Sequence, residues 1–286
     1  MRVAVGLLAL SMAAASVLAW QLASTPNRRA GSRNGRTTSA RSGKGGGTPG
    51  RPTISPTTAP PATTAAAPTV PASKGPLRVL EIGDSLGVDL GEAMERSWPS
   101  PSVQLTMAAR GDTGLANRSY YDWPSVLTGL LASVHPQVVV VLLGANDLQS
   151  MVTGSTVTYD GTSAWNAQYA ARVASIVTES VRSGAHVLWV GEPAMQTTFI
   201  NAGMTRIDGI AQKVVARDPG RAAYLSSSSV LAPGGSFSFD VTDPTGQQTE
   251  VRTPDGVHLM AAGADLLAEA AANALARDWG IRVAGS

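Results

Sequence analysis

Apolar positions along the chain fall into two kinds of run. Residues 77–82, 103–108, 137–143, 186–190 and 222–225 are short, dense apolar stretches, the strongest of them reading QVVVVLL. A continuous β-branched run of this kind suits a strand buried on both faces of a parallel sheet. Between these runs, over 86–98, 122–134, 165–182, 201–217 and 261–276, apolar residues recur three and four positions apart. That spacing predicts amphipathic helices, and Pro124 falls in the first turn of the second one, where proline is tolerated. Strand and helix in alternation predict an α/β layer architecture with a mainly parallel sheet. Residues 233–253 break the pattern: Pro233-Gly234-Gly235 and Asp243-Pro244-Thr245-Gly246 are turn signals around an alternating stretch at 236–241. A small hairpin or flap is expected there.

Upstream of residue 77 the pattern is different. Arg2 precedes an apolar and small-residue run through Trp20, so residues 1–24 read as a secretory signal peptide or an uncleaved N-terminal anchor. Residues 25–76 are rich in Gly, Pro, Thr, Ala and Arg and offer little to bury, so they read as a disordered linker. Leader and stalk together favour an extracytoplasmic, secreted or membrane-anchored protein, although the arginines at 28, 29, 33 and 36 are a flank of the kind usually kept in the cytoplasm.

Charge divides the chain at the same place. Residues 1–76 carry nine Lys and Arg and no acid; residues 77–286 carry 13 Lys and Arg against 20 Asp and Glu, a net charge of −7. The part that folds is acidic, which argues against a nucleic-acid partner. With no cysteine, a thiol nucleophile, disulfides and thiolate metal sites are excluded.

Four segments carry chemistry. Gly83-Asp84-Ser85-Leu86 ends the first predicted strand, Arg110-Gly111-Asp112-Thr113-Gly114 follows the second, Gly144-Ala145-Asn146-Asp147 ends the third, and Asp255-Gly256-Val257-His258 precedes the last helix. Ligands of parallel sheets sit beyond the carboxyl ends of the strands, where the first three segments fall. Ser85 at a strand-to-helix turn is either a nucleophile or an ordinary helix-capping serine. His258 is suited to act as its general base, with Asp255 three residues earlier to orient the imidazole. Asn146 and the backbone N–H groups of Ser85 and of Gly111 or Gly114 are candidate oxyanion donors, with Gly111 favoured over Gly114. One such donor is worth about 3–4 kcal/mol of barrier. Asp84 and Asp147 are expected to brace loops, and His135 and His186 to be structural.

Taken in order, GDSL, RGDT, GAND and DGVH resemble the signature blocks of the SGNH/GDSL hydrolase superfamily, over essentially all of residues 77–286. The resemblance implies a flavodoxin-like three-layer α/β/α sandwich with a mainly parallel five-stranded sheet. It also implies ester hydrolysis or acyl transfer without metal or cofactor, with Ser85, His258 and Asp255 as a triad and Gly111 and Asn146 as oxyanion donors. Tyr121-Asp122-Trp123-Pro124, Trp165 with Tyr169 and Arg172, Trp189-Val190-Gly191-Glu192-Pro193, and Gly246-Gln247 followed by Arg252 are similar to a bacterial, envelope-associated subgroup. That likeness suggests a glycan or envelope ester as the partner. Met260 departs from the pattern, which often has a small hydroxyl residue there. Trp123, Gln149, Trp165, Met195 and Arg252 are candidates for the substrate wall. Three functions stay open: an esterase for small acyl groups, an O-acetyltransferase acting on a glycan, and an inactive binding module.

Overall fold

The computed structural model describes residues 75–99 and 102–283. The leader and linker expected over 1–24 and 25–76 lie outside the described residues, save for residues 75 and 76. No helix among the described residues is long and apolar enough to cross a membrane.

Five parallel strands form the central sheet: β1 (Leu77–Gly83), β2 (Val103–Met107), β3 (Val138–Leu142), β6 (His186–Val190) and β7 (Ala222–Leu225). Their order is β2-β1-β3-β6-β7. Counted as five sheet strands this is the flavodoxin-like arrangement, whose winding reverses between β1 and β3. β3 (VVVVL) is buried at every position and pairs Val79 with Val138 and Gly83 with Leu142 across to β1. β2, at one edge, is only partly buried. Burial therefore follows sheet position, as the density of β-branched residues anticipates.

Among the described residues six helices accompany the sheet: α1 (Ser85–Ser97), α2 (Trp123–Val134), α3 (Ser163–Arg182), α4 (Thr198–Val215), the short α5 (Ser227–Leu231) and α6 (Ala261–Trp279). α1 and α6 pack on each other and on the sheet, while α2, α3 and α4 pack in series on the other side. The α6 contact face is mostly alanine (Ala264, Ala268, Ala271, Ala272), so its backbone can lie close to its neighbours. Helix boundaries differ from the sequence expectation by a few residues. Thus α4 begins at Thr198 rather than 201, and α6 runs on to Trp279 because Gly280, at φ 67°, supplies a left-handed cap only there.

Among the described residues two hairpins lie outside the main sheet. β8 (Asp240–Thr242) and β9 (Gln248–Glu250) pair antiparallel, inside the region expected to form a flap. β4 (Met151–Thr153) and β5 (Thr156–Thr158) form the other, which the periodicity did not predict.

Candidate active site

Asp84 fixes the geometry at the winding reversal. It caps α1, its Oδ1 accepting from Leu86 N at 3.0 Å. Its Oδ2 accepts from Gly144 N at 3.0 Å and Ala145 N at 2.9 Å. One fully buried carboxylate thus ties the carboxyl end of β1 to that of β3. Burial pushes it up to about 6, against three amide donors that favour the ionised form. Asp84 is thus the loop brace expected of it.

Ser85 is the first residue of α1 and is half-buried, so its own N–H has no intrahelical acceptor. His258 Nε2 lies 2.9 Å from Ser85 Oγ although 173 positions separate them, and His258 Nδ1 lies 2.7 Å from Asp255 Oδ2. The partners assign the tautomer: Nδ1–H faces the carboxylate and the Nε2 lone pair faces the hydroxyl. Asp255 Oδ1 accepts from Thr253 Oγ1 (2.6 Å), Val257 N (2.8 Å) and His258 N (3.0 Å). Partial burial pushes this carboxyl up, but the hydrogen bonds from Thr253, His258 and the two amides outweigh it and hold it well below the usual range. A hydroxyl, an imidazole and a firmly ionised carboxylate in series are what general-base activation of an alcohol requires.

The segment holding His258 is short and closed. Arg252 and Leu259 form an antiparallel bridge across its mouth. Gly256 turns at φ 72°, and a Cβ there would stand 2.5 Å from Gln196 Cβ, so glycine is required on two counts. Asp89, one turn after Ser85 on α1, accepts from Leu259 N at 3.0 Å.

Two further loops meet beside Ser85. Arg110 N donates to Gly83 O at 2.9 Å, which sets Gly111 next to the Ser85 turn. Asn146 Nδ2 donates to Thr113 O at 2.9 Å, joining the Gly111 loop to the loop after β3. The amide has a second hydrogen left to donate. Asp147, fully buried, accepts from Leu115 N, Ala116 N and Tyr169 Oη, the loop brace expected of it. Burial pushes it up to about 6. Gly111 and Gly114 are now distinguishable. A Cβ on Gly114 would fall 2.2 Å from Asp147 Oδ1, whereas nothing lies within 4 Å of one on Gly111. Gly114 is needed so that Asp147 can approach; Gly111 is the half-exposed glycine of the pair, beside open space.

Four of the five substrate-wall candidates are corrected. Trp123 and Trp165 are fully buried, Met195 is 2% exposed and Arg252 1% exposed. Trp123 Nε1 supports the Gly111 loop through Thr113 Oγ1 at 3.1 Å. Trp165 donates to Gln149 O at 2.8 Å and stacks on Tyr169. Met195 and Arg252 pack on each other beneath the His258 turn. Only Gln149 is partly exposed, and its Nε2 donates to Asn146 O at 2.6 Å. His186 is buried against Trp279, and burial pulls it down to about 4; His135 is the left-handed cap of α2.

Residues that sequence reasoning passed over are Thr253, Asp89, Gln196 and a group of buried acids. Asp89 had a signal, its four-residue spacing from Ser85 on a helix. Glu192 is 3% exposed and neither carboxyl oxygen has a hydrogen-bond partner among the described residues; burial holds it well above the usual carboxylate range. Asp208, which accepts from Glu192 N, is pushed by burial up to about 7.

Solved structures share this architecture. One is a catalytic mutant of Axe2, an acetylxylan esterase from Geobacillus stearothermophilus, 12% identical, covering 74% of this chain and 98% of its own, TM-score 0.50. Another is LAE5, an alpha/beta hydrolase from the metagenome of Lake Arreo, Spain, also 12% identical, covering 71% and 95%, TM-score 0.50. TesA, at 19% identity, covers 69% and 97% with a TM-score of 0.46. At these identities the likeness concerns the fold, which is that of the SGNH/GDSL hydrolases. No curated protein matches the chain by sequence. Residues 78–274, well over half of the chain, match the family described as Protein of unknown function (DUF459), and the chain belongs to that family.

Proposed function

We propose that the protein is a serine hydrolase of carboxylic esters, with Ser85 as nucleophile, His258 as general base and Asp255 as its partner. The observation that carries this reading is the unbroken relay of 2.9 and 2.7 Å from Ser85 Oγ through His258 to Asp255. In the reaction, Ser85 Oγ attacks the ester carbonyl while His258 Nε2 takes its proton. Asp255, held ionised by four donors, stabilises the imidazolium through Nδ1–H. The N–H groups of Ser85 and Gly111 and the free Asn146 amide hydrogen receive the oxyanion, at about 3–4 kcal/mol for each donor. His258 then returns the proton to the departing alcohol, leaving acyl-Ser85. Water, deprotonated by the same nitrogen, attacks the acyl carbon and releases the acid and the serine.

The substrate we propose is a small acyl ester, acetyl in type, carried by a carbohydrate or other envelope component. Ser85 is half-exposed and the Asp255 side chain 38% exposed, which suits an alcohol too large to be engulfed. The envelope setting is supported by the apolar leader and Thr-Pro-Ala-rich stalk, which suit a secreted or anchored extracytoplasmic protein. The same exposure admits a sugar hydroxyl in place of water. Product partition with and without a glycan acceptor separates hydrolysis from O-acetyl transfer. The central test is p-nitrophenyl acetate turnover and fluorophosphonate labelling of the wild type, Ser85→Ala and His258→Ala. Loss on the order of 10⁴-fold or more is expected in each variant. Turnover at the wild-type level in both would reject the reading.

A further inference from the structure

Arg252 is buried, yet it forms no ion pair among the described residues. Its guanidinium donates only to neutral acceptors. Nε reaches His258 O at 3.3 Å, Nη2 reaches Val257 O at 2.7 Å and Gly256 O at 3.4 Å, and Nη1 donates to Ala194 O. Met195 Sδ lies 3.6 Å from Nη2, and the Phe237 ring covers the group at 5.0 Å. Withdrawing a cation from water costs several kcal/mol, and burial pulls this one down to about 10. That cost is set against a specific gain in local order. Three consecutive carbonyls of the His258 turn converge on one point, where their dipoles would oppose one another without a cation between them. Ala194 adds the loop after β6 to the same centre.

The other side of the turn is held differently. Its amides are gathered by Asp255 Oδ1, and the amide just beyond it, Leu259 N, by Asp89. Amides are thus bound by carboxylates from one side and carbonyls by a guanidinium from the other.

We infer that Arg252 is a positioning residue for His258, a planar fork that fixes the turn's carbonyls so that Nε2 stays in reach of Ser85 Oγ. The inference rests on the serine-hydrolase reading of the same site. The Lys ammonium lacks the fork and cannot span acceptors on two loops in one plane. The charge has a second consequence. The acids that face His258 are Asp255 on its own turn, Asp89 on α1 and Asp84 at the end of β1, and Glu192 at the end of β6 faces Arg252. Arg252 is the cation placed among them. Removing it leaves the turn's carbonyls and these acids with no positive charge between them.

The experiment compares the full chain with Arg252→Met and Arg252→Lys, measuring ester kcat and KM per fluorophosphonate-labelled site and thermal melting. A displacement of the imidazole by about 1 Å lowers kcat about 100-fold. We expect that loss in Arg252→Met with KM little changed, and recovery of part of it in Arg252→Lys. Folded Arg252→Met with wild-type kcat would overturn the inference. If Arg252→Met does not fold, Arg252→Lys decides: a folded lysine variant with full kcat overturns the role of the fork, and reduced kcat supports it. A wild type that neither turns over esters nor labels at Ser85 overturns the hydrolase reading, and this inference falls with it.

Discussion

Gly256→Ala is the sharpest test of how the His258 turn works. Gly256 sits at φ 72°, in the left-handed region, which costs a residue with a Cβ about 1–2 kcal/mol. The added Cβ would also stand 2.5 Å from Gln196 Cβ and 2.5 Å from Gln196 Oε1. Carbon atoms pack at about 3.5–4.0 Å, so about 1 Å of relief is needed. The glutamine amide can swing into solvent, since Gln196 is exposed, but its Cβ is fixed to a backbone whose N–H donates to Gly256 O at 3.1 Å. Relief therefore moves the turn itself. His258 Nε2 is 2.9 Å from Ser85 Oγ, and a shift of about 1 Å takes it out of hydrogen-bond range, which costs about 100-fold in turnover, or roughly 2.7 kcal/mol of barrier. The assay is kcat for p-nitrophenyl acetate on protein shown by thermal melting to be folded, in Gly256→Ala, Gln196→Gly and the double variant. Gln196→Gly removes the obstructing carbon, so the double variant is expected to recover part of the loss. Turnover of Gly256→Ala close to wild type, or a double variant no better than Gly256→Ala alone, would refute the argument that this contact sets the imidazole.

Three other outcomes follow from the packing and burial of the domain. Gly114→Ala is expected to lower the melting temperature strongly, because its Cβ meets Asp147 Oδ1 at 2.2 Å, whereas Gly111→Ala leaves melting nearly unchanged; equal effects in thermal denaturation would contradict the assignment of Gly114 to packing. Burial raises Glu81 from 4.5 to about 8, so its protonation stabilises the fold below 4.5 and that contribution is lost as pH rises through about 8. Glu81→Gln should therefore gain stability relative to wild type with rising pH across that window, and a constant offset in denaturant melts at every pH would exclude it. Trp165→Phe leaves the Gln149 carbonyl without its indole donor and should cost about 1–3 kcal/mol of stability with KM unchanged. A raised KM at unaltered stability would return Trp165 to the substrate wall.

The strands were legible because their burial is written in composition: VVVVL can only lie between two covered faces. The meeting of Ser85 with the Gly111 and Asn146 loops was legible because parallel strands present their following loops at one edge; Asp255 and His258 follow the β8–β9 hairpin instead, and their place was legible through the resemblance of the DGVH segment. What the sequence hid was direction. Trp123 and Trp165 lie near the site in the chain, but whether an aromatic faces solvent or core depends on the neighbouring element, and both indole N–H groups turn inward to loop acceptors. Arg252 was read as a substrate-wall candidate because it flanks the Asp-His segment; its burial follows from the convergence of four carbonyls from two loops. Gly111 and Gly114 could not be separated until the space beside each was known. The β4–β5 hairpin escaped because its strands are three residues each, too short for alternation to register.

The common direction of the sheet strands has a practical corollary. β1 starts at Leu77 and runs seven residues to Gly83, a span of about 20 Å, so the backbone at Leu77 occupies the margin opposite Ser85. A bead, dye or scaffold coupled just ahead of Leu77 would leave the serine margin directed at the medium, and an immobilised preparation should meet polymeric esters without obstruction from its support.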